Sequence, residues 1–382
     1  MKKIFLFTAA LVGLVLLTSC DGDGGTRYTN KDKRWWAGED GSALRGYIDE
    51  NGKMVISANY SGANSFSCGW ACVQEDGESQ FIDKDGKSVI PDPFPFESYF
   101  NFNRIRFKED GLYGMYDENF KVVIPAEYKY LGSCTEDGLI WFSEDGKEIG
   151  YLDKDGKVVI QEQFYNAENF AGGIAVVAEE KDGNFRYGVI DKKGNFLIDY
   201  QKKWLSNMGE GRVCFYNDNT SKFGLMDKNG NELVSAKYDD IRPFTCGMAR
   251  VEKNGKWGYI NPKGEEVIAC RYPIAYEFYD DVADVYDEHN RCSIINKKGE
   301  TLFKLKEKDF LIFSFINGLG LVRNELTNQY RYINKKNEII YKWEVPASEM
   351  PEKRLSPEER RMQFMLSTEY GPLFRNMMER TK

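Results

Sequence analysis

The sequence predicts an all-β fold of nine tandem units, and three observations carry that prediction. A short phrase recurs nine times: two mostly apolar residues, Asp or Asn, two polar residues and usually Gly. Its Asp or Asn stands at 49, 83, 117, 153, 191, 227, 261, 296 and 334, so the period is 34 to 38 residues. A fixed period in that range marks a solenoid, propeller or array. Composition agrees: 36 Gly suit a turn-rich β protein, and 14% aromatic with 42% hydrophobic residues suffice for a continuous core.

The physics of one unit is clearest in the seventh, Phe244 to Tyr272, where three short strands are expected near Met248 to Glu252, Lys256 to Asn261 and Glu265 to Ala269. Asn254-Gly255 separates the first two, because both residues tolerate the positive φ of a tight hairpin turn. Equivalent turns are expected at Asp76-Gly77, Asp110-Gly111 and Asp182-Gly183. The recurrent phrase is the second turn. Its Asp accepts backbone N–H groups and its Gly takes the left-handed conformation, as in a type I turn with a bulge. Four residues after each Gly position stands an apolar side chain: Ile56, Ile90, Ile124, Ile160, Ile198, Val234, Ile268, Phe303 and Tyr341. Eight after it, in six copies, stands an aromatic: Tyr60, Phe94, Tyr128, Phe164, Tyr238 and Tyr272. Such in-phase positions stack between neighbouring units and build a core that no unit closes alone.

Gly255-Lys256-Trp257-Gly258-Tyr259-Ile260, with the following Gly-x-x-Val-Ile and the Tyr238-Asp239-Asp240 of the preceding unit, resembles the WG-repeat family, also called KWG repeats. The resemblance spans about residues 44 to 343. Trp-Gly itself stands in one copy only; Arg45-Gly46, Tyr113-Gly114, Ile149-Gly150, Tyr187-Gly188 and Phe223-Gly224 take its place elsewhere. The resemblance implies a bacterial, often exported protein with a binding or scaffold role and no family-wide enzymatic activity, and it supplies no site residues.

Nine antiparallel β-meander units of about 35 residues are short for propeller blades. Closure would nevertheless protect the terminal edges that an open array must cap. A propeller-like or curved superhelical array is therefore favoured over a straight solenoid. The repeat domain is expected over 44–345. From Pro346 the pattern stops, and Ser356-Pro357-Glu358-Glu359 supplies a cap, a first-turn proline and a Glu for a short C-terminal α-helix within 346–382. Met362, Met365, Leu366, Leu373, Phe374 and Met377 form its apolar stripe, read as a helical cap over the last repeat, with partner docking as the rival reading.

At the other end, Met1-Lys2-Lys3 and the apolar run Ile4 to Leu17 read as a secretory signal over 1–19. Leu17-Thr18-Ser19-Cys20 resembles a bacterial lipobox, which makes Cys20 the lipid-attachment residue. The acidic, glycine-rich stretch Asp21 to Gly25 resembles the export signal of Bacteroidota surface lipoproteins and opens a flexible leader over 20–43. A multiply acylated Cys20 would hold the chain on a membrane, since each buried methylene contributes about 0.8 kcal/mol. The expected location is thus the outer membrane, facing the periplasm or the cell surface.

Removing residues 1–19 takes away Lys2 and Lys3 and no acid, so the net charge moves from −8 to −10. An acidic surface without a basic cluster argues against nucleic acid as a partner. Seven cysteines accompany Cys20, no CxxC pair suggests zinc, and Cys68 and Cys246 recur at one repeat position as small fillers. His289 is the only histidine and sits in a polar stretch that reads as a hairpin tip. Asp83-Lys84-Asp85-Gly86 and Asp153-Lys154-Asp155-Gly156 resemble calcium loops but lack their further ligands, so turn stabilisation is the better reading. No cofactor and no metal are expected. Trp35 and Trp36 are either part of a first strand or an exposed platform. The composite expectation is a non-catalytic, lipid-anchored envelope protein that presents a β-repeat surface to a protein partner. Its rivals are a carbohydrate-binding lipoprotein of a glycan-uptake system and an envelope hydrolase with two facing carboxylates, one of raised pKa.

Overall fold

The computed structural model describes residues 32–345. The expected signal segment, Cys20, most of the leader and the C-terminal helix lie outside the described residues. The chain divides into two compact units, residues 91–278 and residues 32–90 with 279–345. Among the described residues every regular element is a strand, arranged in nine small antiparallel sheets of the β-propeller blade type, one per repeat.

The unit over 91–278 holds five sheets, spanning residues 104–128, 130–164, 166–201, 205–238 and 240–272. Within each, neighbouring strands follow chain order, so every connection is a hairpin. The two turns of a repeat form as its residues dictate. Asp110-Gly111, Asp182-Gly183 and Asn254-Gly255 all have positive φ at both positions, the geometry that matches the twist of the flanking strands. In the recurrent phrase, Asp153 Oδ1 accepts the N–H groups of Asp155 and Lys157, and Gly156 closes the turn with φ +87°. The same pair of bonds is made by all nine Asp or Asn residues, from Asp49 to Asn334.

One of the turns then joins consecutive repeats. The turn glycine rests on the buried aliphatic of the preceding outer strand: a Cβ on Gly156 would lie 3.3 Å from Ile124, and one on Gly194 3.5 Å from Ile160. The glycine of the Trp-Gly position is required for a different reason. The outer strand bulges opposite it, and a Cβ on Gly258 would lie 2.5 Å from the carbonyl oxygen of Ile268.

The other unit holds the first two and last two repeats. Its sheets run over 35–60, 62–89 and 309–344, with a further three strands over 282–304. The last sheet packs on the first. Tyr332 and Tyr341 donate hydroxyl bonds to the carbonyls of Trp36 and Gly38 at 2.9 and 3.0 Å, and Gly41 N–H donates to the Glu344 carbonyl at 2.9 Å. Trp36 and Trp343 meet edge to face at 6.2 Å inside a shared core. A straight solenoid keeps its terminal repeats apart and cannot make these contacts.

Three expectations need correction. Most sheets have four strands, because a short innermost strand of only two or three residues, such as Tyr130–Leu131 or Leu205–Asn207, precedes the three expected ones. That brevity is how a repeat of about 35 residues accommodates a four-stranded blade. The β body also begins before residue 44: Trp35–Gly38 is the first strand, and Trp35 and Trp36 are buried, so no exposed tryptophan platform stands there. Ile90 is 61% exposed and Phe94 is also exposed, because the second outer strand stops at Ser88–Val89 and Pro91, Pro93 and Pro95 follow.

Candidate functional site

The outer strand of each sheet is an edge, paired on one side only. It opens beside the recurrent turn, where consecutive side chains must point to opposite faces. In Val158-Val159-Ile160, Glu232-Leu233-Val234 and Glu266-Val267-Ile268 the third residue is buried against the neighbouring repeat, which turns the second outward. The outward residue is not polar. At that second position Val55, Val159, Leu233, Val267 and Leu302 are 36 to 45% exposed, and one residue earlier Val122, Val158, Phe196 and Ile339 are 36 to 54% exposed, so every repeat except the second shows one or two. A lone exposed valine means little, but an exposed apolar residue two or three places after the recurrent turn in eight repeats is a patterned surface on unpaired strand edges. The Val-Ile of the phrase carried this signal, since two adjacent apolar residues on a strand cannot both face the core. Only the buried member of that pair enters the in-phase pattern of the repeat.

Two carboxyls with raised pKa values, Glu168 and Glu252, lie within residues 91–278. Burial pushes the Glu168 carboxyl up to about 7, against hydrogen bonds from Asn207 N–H (2.8 Å) and Ser206 Oγ (3.0 Å) that favour its charged form. Both oxygens are thereby engaged in bridging the fifth and sixth sheets. Asn207 completes the joint by donating to the carbonyls of Ala171 and Ile174 at 3.1 and 2.8 Å. Glu252 is also raised, first by burial and then by Asp240, which stands directly across the strand pair. Arg242 holds Asp240 at 2.7 Å, so this acidic pair is tied into an ion network.

The remaining candidates behave as local structure. His289 is exposed in a turn, its N–H donating to Asp287 Oδ1 at 2.9 Å. Asp83 and Asp153 spend their carboxylates on turn N–H groups. No cluster of His, Cys, Asp and Glu fit for a metal is present among the described residues. Cys68 and Cys246 occupy equivalent left-handed turn positions, φ +55° and +51°. Burial raises the thiols of Cys134 and Cys270 to about 11, which keeps both protonated and inert near neutral pH.

The family model described as WG containing repeat matches residues 46–78, 113–147, 149–181, 223–257 and 257–287. No curated protein matches the chain. Among solved structures, a eukaryotic initiation factor aligns with a TM-score of 0.54 at 10% identity, over 81% of this chain and 95% of the other. That likeness shows the fold alone. BamB from Moraxella catarrhalis aligns at 0.39 and 10% identity, over 64% of this chain and 86% of its own. AztD from Citrobacter koseri aligns at 0.40 and 12%, over 82% and 94%.

Proposed function

Because the chain is built of WG-containing repeats, we propose that it is a non-catalytic binding or scaffold protein of a bacterial cell envelope, held by a lipid on Cys20, whose outer strands meet a protein partner. The observation that carries this reading is the exposed apolar residue that opens the edge strand two or three places after the recurrent turn in eight repeats. Edge strands invite pairing, and natural proteins normally blunt them with charge. Keeping an aliphatic there supports a surface meant to be covered. The lipobox-like Leu17 to Cys20 supports the location, and the engagement of both Glu168 oxygens in a joint between sheets supports a role without catalysis.

The test is crosslinking of the tagged full chain in its native cells, followed by identification of what is recovered. A stoichiometric protein partner, lost when Val159 and Leu233 are both replaced by Asp and dispersed when Cys20→Ser releases the chain from membranes, is the expected result. Recovery of the same partner with the doubly substituted chain would move the interface elsewhere. Turnover of a substrate abolished by one carboxylate substitution would overturn the non-catalytic reading.

A further inference from the structure

The fifth sheet departs from its neighbours in one respect. Its central hairpin, Ile174–Lys181 and Asn184–Asp191, has eight-residue strands where most sheets have five or six, and its tip stands beside the end of the outer strand Phe196–Gln201. Between tip and strand end lies an open cleft of about 460 Å³. Lys181, Arg186, Tyr200 and Lys202 line it. Arg186 is partly neutralised by Glu179 at 2.9 Å, but among the described residues Lys181 and Lys202 make no ion pair, and Asp182 is the one acid on the wall. In a chain of net charge −8 this is a locally basic site. Asn184 and Gln201 add amide groups that both donate and accept.

We propose that this cleft binds an acidic saccharide, with Lys181 and Lys202 meeting its carboxylate or sulfate groups, Tyr200 offering a ring wall and the two amides meeting hydroxyls. The combination of an aromatic surface, a few convergent polar groups and unpaired cations is what such a ligand needs. An acidic peptide adding to the strand edge fits less well. Arg186 Nη2 already donates to the Tyr200 carbonyl at 2.8 Å, so the acceptor an incoming strand would meet at this end is engaged. Phe196, packed on Tyr200 at 4.9 Å between ring centres, holds the ring in place from the strand side. Phe196 belongs to both surfaces, but the two proposals fail separately: the Val159 and Leu233 replacements leave the cleft lining in place, and the Lys181 and Lys202 replacements leave those edge positions in place.

Calorimetric titration of the full chain with trigalacturonic acid and with a sulfated disaccharide tests it, with the methyl ester of the former as neutral control and poly-glutamate as acidic peptide. Binding of at least one acidic saccharide is expected, weaker at higher salt and absent for the ester. The double replacement Lys181→Ala and Lys202→Ala, both exposed, should weaken it about tenfold or more. Tyr200→Phe should bind nearly as well as the parent, and Tyr200→Ala poorly. No binding of either acidic saccharide overturns the proposal, as does equal binding of ester and acid. Poly-glutamate binding that the lysine replacements abolish, with no saccharide bound, would replace it by an acidic-peptide site.

Discussion

The hydroxyl of Tyr332 donates to the carbonyl oxygen of Trp36 at 2.9 Å, joining residues 296 apart in sequence. The bond is not peculiar to the chain ends. Tyr47, Tyr151 and Tyr259, at the same repeat position, donate to the carbonyls of Asn64, Glu168 and Tyr276, each 17 residues on and each at 2.7 Å. In each pair the tyrosine sits on the strand before the recurrent turn and the carbonyl belongs to the repeat that follows. The last repeat therefore treats the first as its successor, and the contact between terminal sheets uses the same bond that consecutive repeats use.

Replacing Tyr332 by Phe leaves the ring in its core and removes the hydroxyl, so the buried Trp36 carbonyl loses its side-chain donor. A loss of about 1–2 kcal/mol is expected. Tyr259→Phe should cost a similar amount, because its bond is buried and of the same kind. Urea titration followed by tryptophan fluorescence measures both; an unchanged midpoint for Tyr332→Phe would mean that the hydroxyl bond contributes nothing to the joining of the ends.

The two glycines of Gly255-Lys256-Trp257-Gly258 should respond differently to alanine. At Gly255 a Cβ meets nothing within 4 Å, and the cost is only that of φ +71° in a non-glycine residue, about 1–2 kcal/mol. At Gly258 the Cβ would sit 2.5 Å from the Ile268 carbonyl oxygen and 2.6 Å from Cys270 N, so the bulged strand must move. A destabilisation of about 3 kcal/mol or more is expected there. Measuring both in guanidinium decides it, since equal costs would show that the outer strand yields freely.

Much of this was legible in the sequence because each repeat writes its turns in residues with special backbone freedom. Asn254-Gly255 and the Asp153 to Gly156 phrase are local signals, and both turns form as read. What was not legible depends on neighbours. The innermost strands, such as Ile274–Ala275, are two residues long, too short to show any period of two. Ile90 matched the in-phase pattern by position, yet the prolines after it end the strand that would have buried it. The Glu168 joint and the basic cleft at Lys181 and Lys202 assemble residues separated by 21 to 39 positions, and nothing in their spacing announces them.

Asp153→Ala removes the carboxylate that accepts two turn N–H groups while leaving Gly156 in its left-handed conformation. The turn is exposed, so water replaces part of what is lost, and a cost of about 0.5–1.5 kcal/mol is expected. Asp153→Asn should recover most of it, because Asn261, Asn296 and Asn334 make the same two bonds in their own repeats. Calcium should not shift the melting temperature of the parent or either variant. A calcium-dependent rise abolished in Asp153→Ala would revive the metal-loop reading.

Glu168 gives the pH dependence. Its folded pKa of about 7 lies above the unfolded value near 4.3, because burial opposes the carboxylate more than Ser206 and Asn207 favour it. A group raised in this way binds its proton more tightly in the folded state. Its stabilising contribution is full below the unfolded pKa and is lost as pH rises toward and through about 7. Glu168→Gln keeps an amide oxygen for Asn207 N–H, and the Ser206 hydroxyl can turn to accept from the amide nitrogen, so the joint survives without a titrating group. The parent should therefore lose about 1–3 kcal/mol more than Glu168→Gln between pH 4.5 and 8. Urea denaturation across that range measures the difference. If instead the parent gained stability relative to the variant as pH rose, the carboxylate would be held charged by its two donors, and the joint between the fifth and sixth sheets would rest on an anion at neutral pH.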